Sequence, residues 1–195
     1  EIFSREELVR LFDWERVNKS DGKFDEKKFA DVAFEHLKQN ELTSLDEYVA
    51  WVKPFLSTRG IVEPNEALLR AAIPGIRERA RTLADAAVDL EFYFREPPEF
   101  DPKAQQKFLT ADSGPRLAAL RDAIASVEPW NAEALEAAGK RYAETQGIEL
   151  KAFAQAARVA LTGRSASPPL FEVMAVLGRE KTLSRLGRGA ELSGG

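Results

Sequence analysis

The chain has 195 residues, enough to bury a core without staples and to fold as one large or two small domains. It has no cysteine, which excludes disulfides, thiolate nucleophiles and cysteine-built zinc sites and is compatible with a reducing compartment. A single histidine, His36, removes nearly every metal or acid–base set that needs paired imidazoles.

The net charge of −4 is unevenly placed. Between residues 150 and 190, Lys151, Arg158, Arg164, Arg179, Lys181, Arg185 and Arg188 stand against only Glu172 and Glu180. One end of an acidic chain is therefore basic, which fits an acidic partner. No apolar run approaches the roughly 18 residues of a membrane span, and no signal-peptide pattern opens the chain. A soluble protein with no membrane partner is expected. The start at Glu1, without methionine, is expected of a piece of a longer polypeptide.

Periodicity is helical almost throughout, with no credible period-2 strand. Ser4 and Glu7 form a capping box for a first helix with a Leu8, Leu11 and Phe12 stripe ending near Asp13. Val17 to Gly22 is turn chemistry. Asp25 caps a second helix with Phe29, Val32, Ala33 and Leu37 on one face. Ser44 and Glu47 open a third, carrying Tyr48, Trp51, Val52 and Phe55, which Pro54 kinks or ends.

Arg59 to Pro64 is a first boundary. A helix from about Asn65 runs into Pro74, and a long segment from Gly75 to Phe94 turns Ile76, Leu83, Ala87, Leu90 and Phe94 inward. Glu96 to Glu99, with Pro97 and Pro98, stops helical growth. Lys103 to Thr110 and Pro115 to Val127 are two shorter helices. Pro129-Trp130 is a second boundary, after which Asn131 caps a helix ending at Gly147.

Glu149 to Leu161, Pro169 to Val176 and, beyond Gly178, Glu180 to Leu186 follow, with a Ser193 to Gly195 tail that should fray. The expected architecture is all-α, two or three small helical bundles in series, divided as 1–63, 64–128 and 129–195. Trp14, Trp51 and Trp130 read as core or boundary anchors, and His36 as a structural or exposed histidine.

The segment Arg158-Val-Ala-Leu-Thr-Gly163, the start Pro169-Leu-Phe-Glu172 and the turn Leu177-Gly-Arg-Glu180 closely resemble the C-terminal signature of bacterial glutamyl-tRNA synthetases, class I aminoacyl-tRNA synthetases. Arg77-Glu-Arg-Ala-Arg-Thr-Leu83, followed by Phe92-Tyr-Phe94, resembles a middle helix of that family. Glu1 to Leu8, Arg16 to Ser20 and Phe24 to Lys28 resemble its stem-contact segment, with Lys28 to Ala33 divergent. The resemblance implies an anticodon-binding helical cage behind a stem-contact tail.

It further implies tRNA-Glu as partner, with tRNA-Gln open, a monomer and a cytoplasmic location. The family's HIGH and KMSKS motifs are absent from these residues. The chain by itself is thus expected to be inactive and to hold no catalytic residue, metal or cofactor, ATP and Mg belonging to the catalytic domain of the resembled ligase.

The resemblance also nominates residues. Arg158 would stack on or hydrogen-bond an anticodon base, since a guanidinium offers both a plane and a fork of donors. The bland alternative is an arginine bonding helix carbonyls. Ser167, Pro168 and Leu170 would present backbone groups and an apolar edge to the first two bases, or serve merely as cap and core. Pro169 and Ala156-Ala157 depart from the family's glycine and Pro-Leu.

Arg79, on a helix, would donate to the third base, cytosine, with Arg81 as the fallback. The alternative for Arg79 is a salt bridge to Glu78 or Asp85. Arg164, Arg179, Lys181 and Arg185 are candidate phosphate contacts. The competing reading of the whole is a helical protein-interaction scaffold that keeps the fold without reading RNA.

Overall fold

A computed structural model describes residues 2–17, 22–97 and 99–194. Among them are eleven α-helices, one 3-10 turn and no strand, so the chain is all-α. Of the sequence expectations, the turn at 18–21, Pro98 in the 96–99 break and Gly195 of the tail lie outside the described residues.

Most helix starts are made by the side chains that the sequence offers for them. In α1 (Arg5–Leu11) the Ser4 hydroxyl accepts from Glu7 N at 3.1 Å while the Glu7 carboxylate accepts from Ser4 N at 2.8 Å. Asp25 caps α2 (Glu26–Lys38), and Ser44 with Glu47 repeats the capping box at α3 (Leu45–Thr58). Asn65 caps α4 (Glu66–Arg77) and Thr82 caps α5 (Leu83–Phe94). Each such cap satisfies an otherwise orphaned N–H and stabilises by about 1 kcal/mol.

Asp101 caps α6 (Pro102–Phe108), and α7 (Ser113–Ile124) follows. Asn131 caps α8 (Ala132–Gln146), which ends at Gly147 with φ 63°. Then come α9 (Lys151–Thr162), α10 (Leu170–Leu177) and α11 (Arg179–Leu192). Helices α3, α4 and α5 pack together, as do α7, α9 and α11, and α10 joins the two groups by touching α4, α8, α9 and α11. One continuous core runs from Tyr48 to Leu186. Among the described residues no helix is long and apolar enough to cross a membrane.

Several expectations are corrected. Of the two alternatives for Pro54, a kink or an end, the end is excluded, since α3 continues to Thr58, and α4 likewise passes through Pro74. Both prolines are exposed, so the carbonyls they leave unpaired face water rather than core. The expected 75–94 segment is broken instead at residues 78–82, because Thr82 caps Asp85 N at 3.0 Å and starts a new helix there. On α3 the buried face is Tyr48, Val49, Val52 and Leu56, while Trp51 and Phe55 face outward. Phe29 and Trp14 are also exposed, Trp14 at 80%.

The end of the chain is more ordered than its composition predicts. Helix α11 runs past Leu186 through Gly187 and Gly189. At Gly189 an added Cβ would sit 2.4 Å from the Cβ of Ala160, so α11 and α9 meet where only a hydrogen fits. Ser193 is buried; its hydroxyl donates to Gly189 O at 2.8 Å and accepts from the Ser113 hydroxyl at 3.0 Å. The expected fraying therefore does not extend to Ser193.

Gly189→Ala should destabilise the chain by about 1–3 kcal/mol through overpacking. Combining it with Ala160→Gly should recover part of that loss. Urea unfolding of the two variants checks both expectations.

Candidate nucleic-acid interface

The basic C-terminal segment folds so that α9 delivers Arg158 beneath the loop that follows it. Gly163, with φ 75°, ends the helix in the left-handed region, where its N–H caps Val159 O at 2.8 Å. Thr162 accepts from Arg164 N at 3.2 Å, and Asp101 N donates to Gly163 O at 2.8 Å. Arg158 then closes the loop from within. Its Nη1 donates to Ser167 O at 3.0 Å, to Pro168 O at 2.8 Å and to the Ser167 hydroxyl.

The bland alternative for Arg158 is thus partly what the structure contains, since Nη1 bonds loop carbonyls. All three of those bonds use the one nitrogen, which leaves the rest of the guanidinium fork uncommitted among the described residues. Burial first, and the positive field of Arg79 second, lower the pKa of Arg158. Two arginines that repel each other across an open face are stabilised by an arriving anion.

Ser167 and Pro168 lie in this loop. Pro168 is buried against Gly75 of α4, where an added Cβ would come within 3.1 Å of the proline Cβ. Leu170 is 6% exposed and its side chain belongs to the core, so it offers no apolar edge to a base. The physical reason is that α10 inserts its first apolar residues between α4 and α8.

Arg79 is not on a helix, contrary to the sequence expectation. It sits exposed in the 78–82 turn, and it forms neither the salt bridge to Glu78 nor that to Asp85. Arg81 pairs with Asp31 of α2 and lies over the Phe34 ring at 5.1 Å. The turn and the α9–α10 loop face each other across an open groove of about 470 Å³ lined by Arg79, Arg81, Arg164, Asp85, Asp89 and Asp101. Arg164 donates to Asp89 at 2.9 Å across it.

The candidate phosphate contacts do not act as a set. Arg185 is 1% exposed, and its guanidinium donates to Phe92 O at 2.8 Å, Leu161 O at 2.7 Å, Arg95 O at 3.0 Å and Glu96 Oε1 at 3.1 Å. Lys181 Nζ donates to Tyr93 O at 3.0 Å. Arg179 donates to Val127 O at 2.5 Å and to Glu128 at 2.6 Å, and lies over the Trp130 ring at 5.1 Å. These three cations satisfy carbonyls at helix ends and in the α7–α8 connection, where the helix dipoles are negative. Arg164 alone of the four faces the groove.

Sequence reasoning passed over two side chains that position the groove. Arg77 is buried at the end of α4, its guanidinium donating to Leu37 O at 2.7 Å, Thr43 O at 2.7 Å and Asn40 Oδ1 at 3.0 Å. It also lies 5.2 Å from the centroid of the Tyr48 ring. It anchors the turn two residues before Arg79; its only signal was the alternation of arginines at 77, 79 and 81. Asp89 is the other, a half-buried acid on α5 with no motif around it. Among the described residues no group of three His, Asp or Glu side chains could hold a metal.

A family model described as "Anticodon binding domain" matches residues 47–190, and the chain belongs to that family. More particularly, the chain is 37% identical over 191 residues to glutamate–tRNA ligase of Azorhizobium caulinodans, covering 95% of this chain and 40% of that protein. It is 39% identical over 194 residues to that of an Anaeromyxobacter strain, again covering 40% of the relative. The chain therefore spans about two fifths of the length of these curated relatives.

Among solved structures, the glutamate tRNA ligase from Elizabethkingia meningosepticum in complex with its amino acid superposes with a TM-score of 0.82 at 26% identity, over 95% of this chain and 36% of that one. The glutamate-tRNA synthetase from Elizabethkingia anophelis gives 0.77 at 26% identity, with the same coverage.

Arg185→Ala should cost about 3 kcal/mol or more, because it strands several buried acceptors. Arg164→Ala should cost about 1 kcal/mol or less, since that pair is partly exposed. Chemical denaturation distinguishes the two. Burial raises the pKa of Asp89 above the ordinary 3.8, against the pull of Arg164 and Arg79. The folded chain thus holds this proton more firmly than the unfolded one. The stability it lends is complete below pH 3.8 and is lost as pH rises through the raised folded value. Asp89→Asn should remove that decline from the stability–pH curve.

Proposed function

We propose that this chain is the anticodon-reading portion of a bacterial-type glutamate–tRNA ligase. It holds the anticodon arm of tRNA-Glu while the rest of such an enzyme, using ATP and Mg, joins glutamate to the tRNA. The observation that carries the reading is the convergence of Arg79, from the α4–α5 turn, with the Arg158-tied loop 163–169 on one face. Family membership and the names of the relatives support it.

The chemistry suits single-stranded RNA. Unstacked anticodon bases expose edges and flat faces, and the exposed guanidinium of Arg79 and the free part of Arg158 can stack on or donate to them. Ser167 and Pro168 set the loop backbone against the same bases, with Arg81 and Arg164 beside them. Residues 64–128 and 129–195 serve as the two anticodon-binding parts and 1–63 as the stem-contact tail. The ligase works in the cytoplasm as a monomer, and the chain itself contributes no catalytic group. Charging of tRNA-Gln as well as tRNA-Glu depends on how the Arg79 groove treats the third base.

The 195-residue chain should bind tRNA-Glu with an affinity that falls steeply with salt. Arg79→Ala or Arg158→Ala should each weaken binding by about fivefold to a hundredfold. Gel shifts against tRNA-Glu, tRNA-Gln and anticodon variants at two salt concentrations measure this, with circular dichroism to check folding. Binding that ignored the anticodon and survived both substitutions would leave the scaffold reading in its place.

A further inference from the structure

The groove beside Arg79 holds more acid than a phosphate site tolerates. A phosphate drawn in by Arg79, Arg81 and Arg164 meets Asp85, Asp89 and Asp101 there. Two of these carboxylates are already occupied in starting helices. Asp101 Oδ1 accepts from Lys103 N at 2.8 Å and Ala104 N at 2.9 Å, and Asp85 Oδ2 accepts from the Thr82 hydroxyl at 2.8 Å.

Asp89 has no such role. Its Oδ1 accepts from Arg164 Nη1 at 2.9 Å, and Oδ2 has no hydrogen bond among the described residues. The same carboxyl is desolvated enough that burial outweighs the nearby arginines. It is a half-buried acceptor lacking a donor, and such an atom gains from any donor that reaches it. Across the groove Arg79 has the opposite lack: an exposed guanidinium with no hydrogen-bond acceptor or ion pair among the described residues.

We infer that Asp89 reads a nucleobase, accepting its exocyclic amino group while Arg79 and Arg164 donate to the neighbouring ring acceptor, so that the groove takes cytosine or adenine in preference to uracil. The inference rests on the RNA-binding reading above and names a specificity-determining residue within it. Cytosine presents N4–H beside N3, and adenine N6–H beside N1, in each case a donor next to an acceptor. A carboxylate next to a guanidinium is the complement of that edge. Uracil reverses the pattern, setting its O4 against the carboxylate and its N3–H against the guanidinium. That leaves two acceptors facing and two donors facing, which is how a site rejects a near-isostere. A groove of about 470 Å³ has room for one flipped-out base.

The test uses the 195-residue chain and tRNA-Glu transcripts in which each anticodon base in turn is cytosine or uracil. At one position, cytosine should bind about tenfold tighter than uracil. A transcript with 2-pyrimidinone there, which is cytosine without its amino group, should lose the same factor. Asp89→Asn, whose amide can both donate and accept, should bring cytosine and uracil within about threefold while leaving the salt dependence of binding unchanged.

No cytosine preference at any position, or a preference that persists in Asp89→Asn, overturns the inference while RNA binding itself stands. If Asp89→Asn does not fold, wild-type protein binding 2-pyrimidinone as tightly as cytosine overturns it equally. Absence of salt-sensitive binding to every transcript overturns the RNA-binding reading, and the inference with it.

Discussion

The buried guanidinium of Arg185 is the constraint around which the C-terminal half is arranged. Helices α5 and α9 both end against α11, and the last carbonyls of an α-helix have no partner of their own. Arg185 supplies donors to Phe92 O and Leu161 O at once, and reaches Arg95 O and Glu96 beyond them. Lys181, one turn earlier on α11, does the same for Tyr93 O. An arginine can serve several acceptors because its fork is planar and always charged, and leaving those acceptors dry would be far more costly than burying the cation with them. The outcome is that α5 and α9, distant in the chain, are held in one fixed relation.

That relation places the groove. With α5 and α9 held together, Asp89 in the middle of α5 meets Arg164 just past the end of α9. At the other end of α5, the 78–82 turn brings Arg79 to the same opening, held in place by the buried Arg77 beside it. Close contacts set the remaining distances. Pro168 seats on Gly75, and Phe171 reaches a place on α8 where a Cβ at Gly139 would lie 2.7 Å from its ring. Each is a position where one methyl group would push α10 outward and spread the loop that Arg158 ties. The face that reads RNA in the proposal is therefore set by buried polar bonds and glycine contacts that need not touch RNA.

Much of the fold was legible, for local reasons. Ser4 with Glu7, Asp25, Ser44 with Glu47, Asn65 and Asn131 each announce a helix start, and each caps one, because a cap needs only its own side chain and the next three residues. The errors share a different cause. Pro54 read as a kink or an end and Pro74 as the end of its helix, yet both helices continue through prolines on exposed faces, where water can satisfy the carbonyls left unpaired. Trp51 read as a core or boundary anchor and Phe29 as sharing a face with Val32, Ala33 and Leu37, yet both are exposed, because which stripe of a helix is buried depends on its neighbours. The cap at Thr82 was present in the sequence and was hidden by the apolar rhythm running past it.

The sequence by itself determined that the chain is helical, where most helices begin, that one end is basic, and that its signature segments resemble those of a tRNA ligase family, since all of these reside in neighbouring residues. Only the tertiary structure decided which cations face the groove. Arg185, Lys181 and Arg179 stand in the same basic segment as Arg164, yet these three satisfy internal carbonyls while Arg164, with Arg79 from a distant turn, lines an open groove. The physical reason is that a cation's role is set by the acceptors within about 3 Å of it. In this chain those acceptors lie tens of residues away, as Phe92 O does for Arg185 and Asp89 for Arg164.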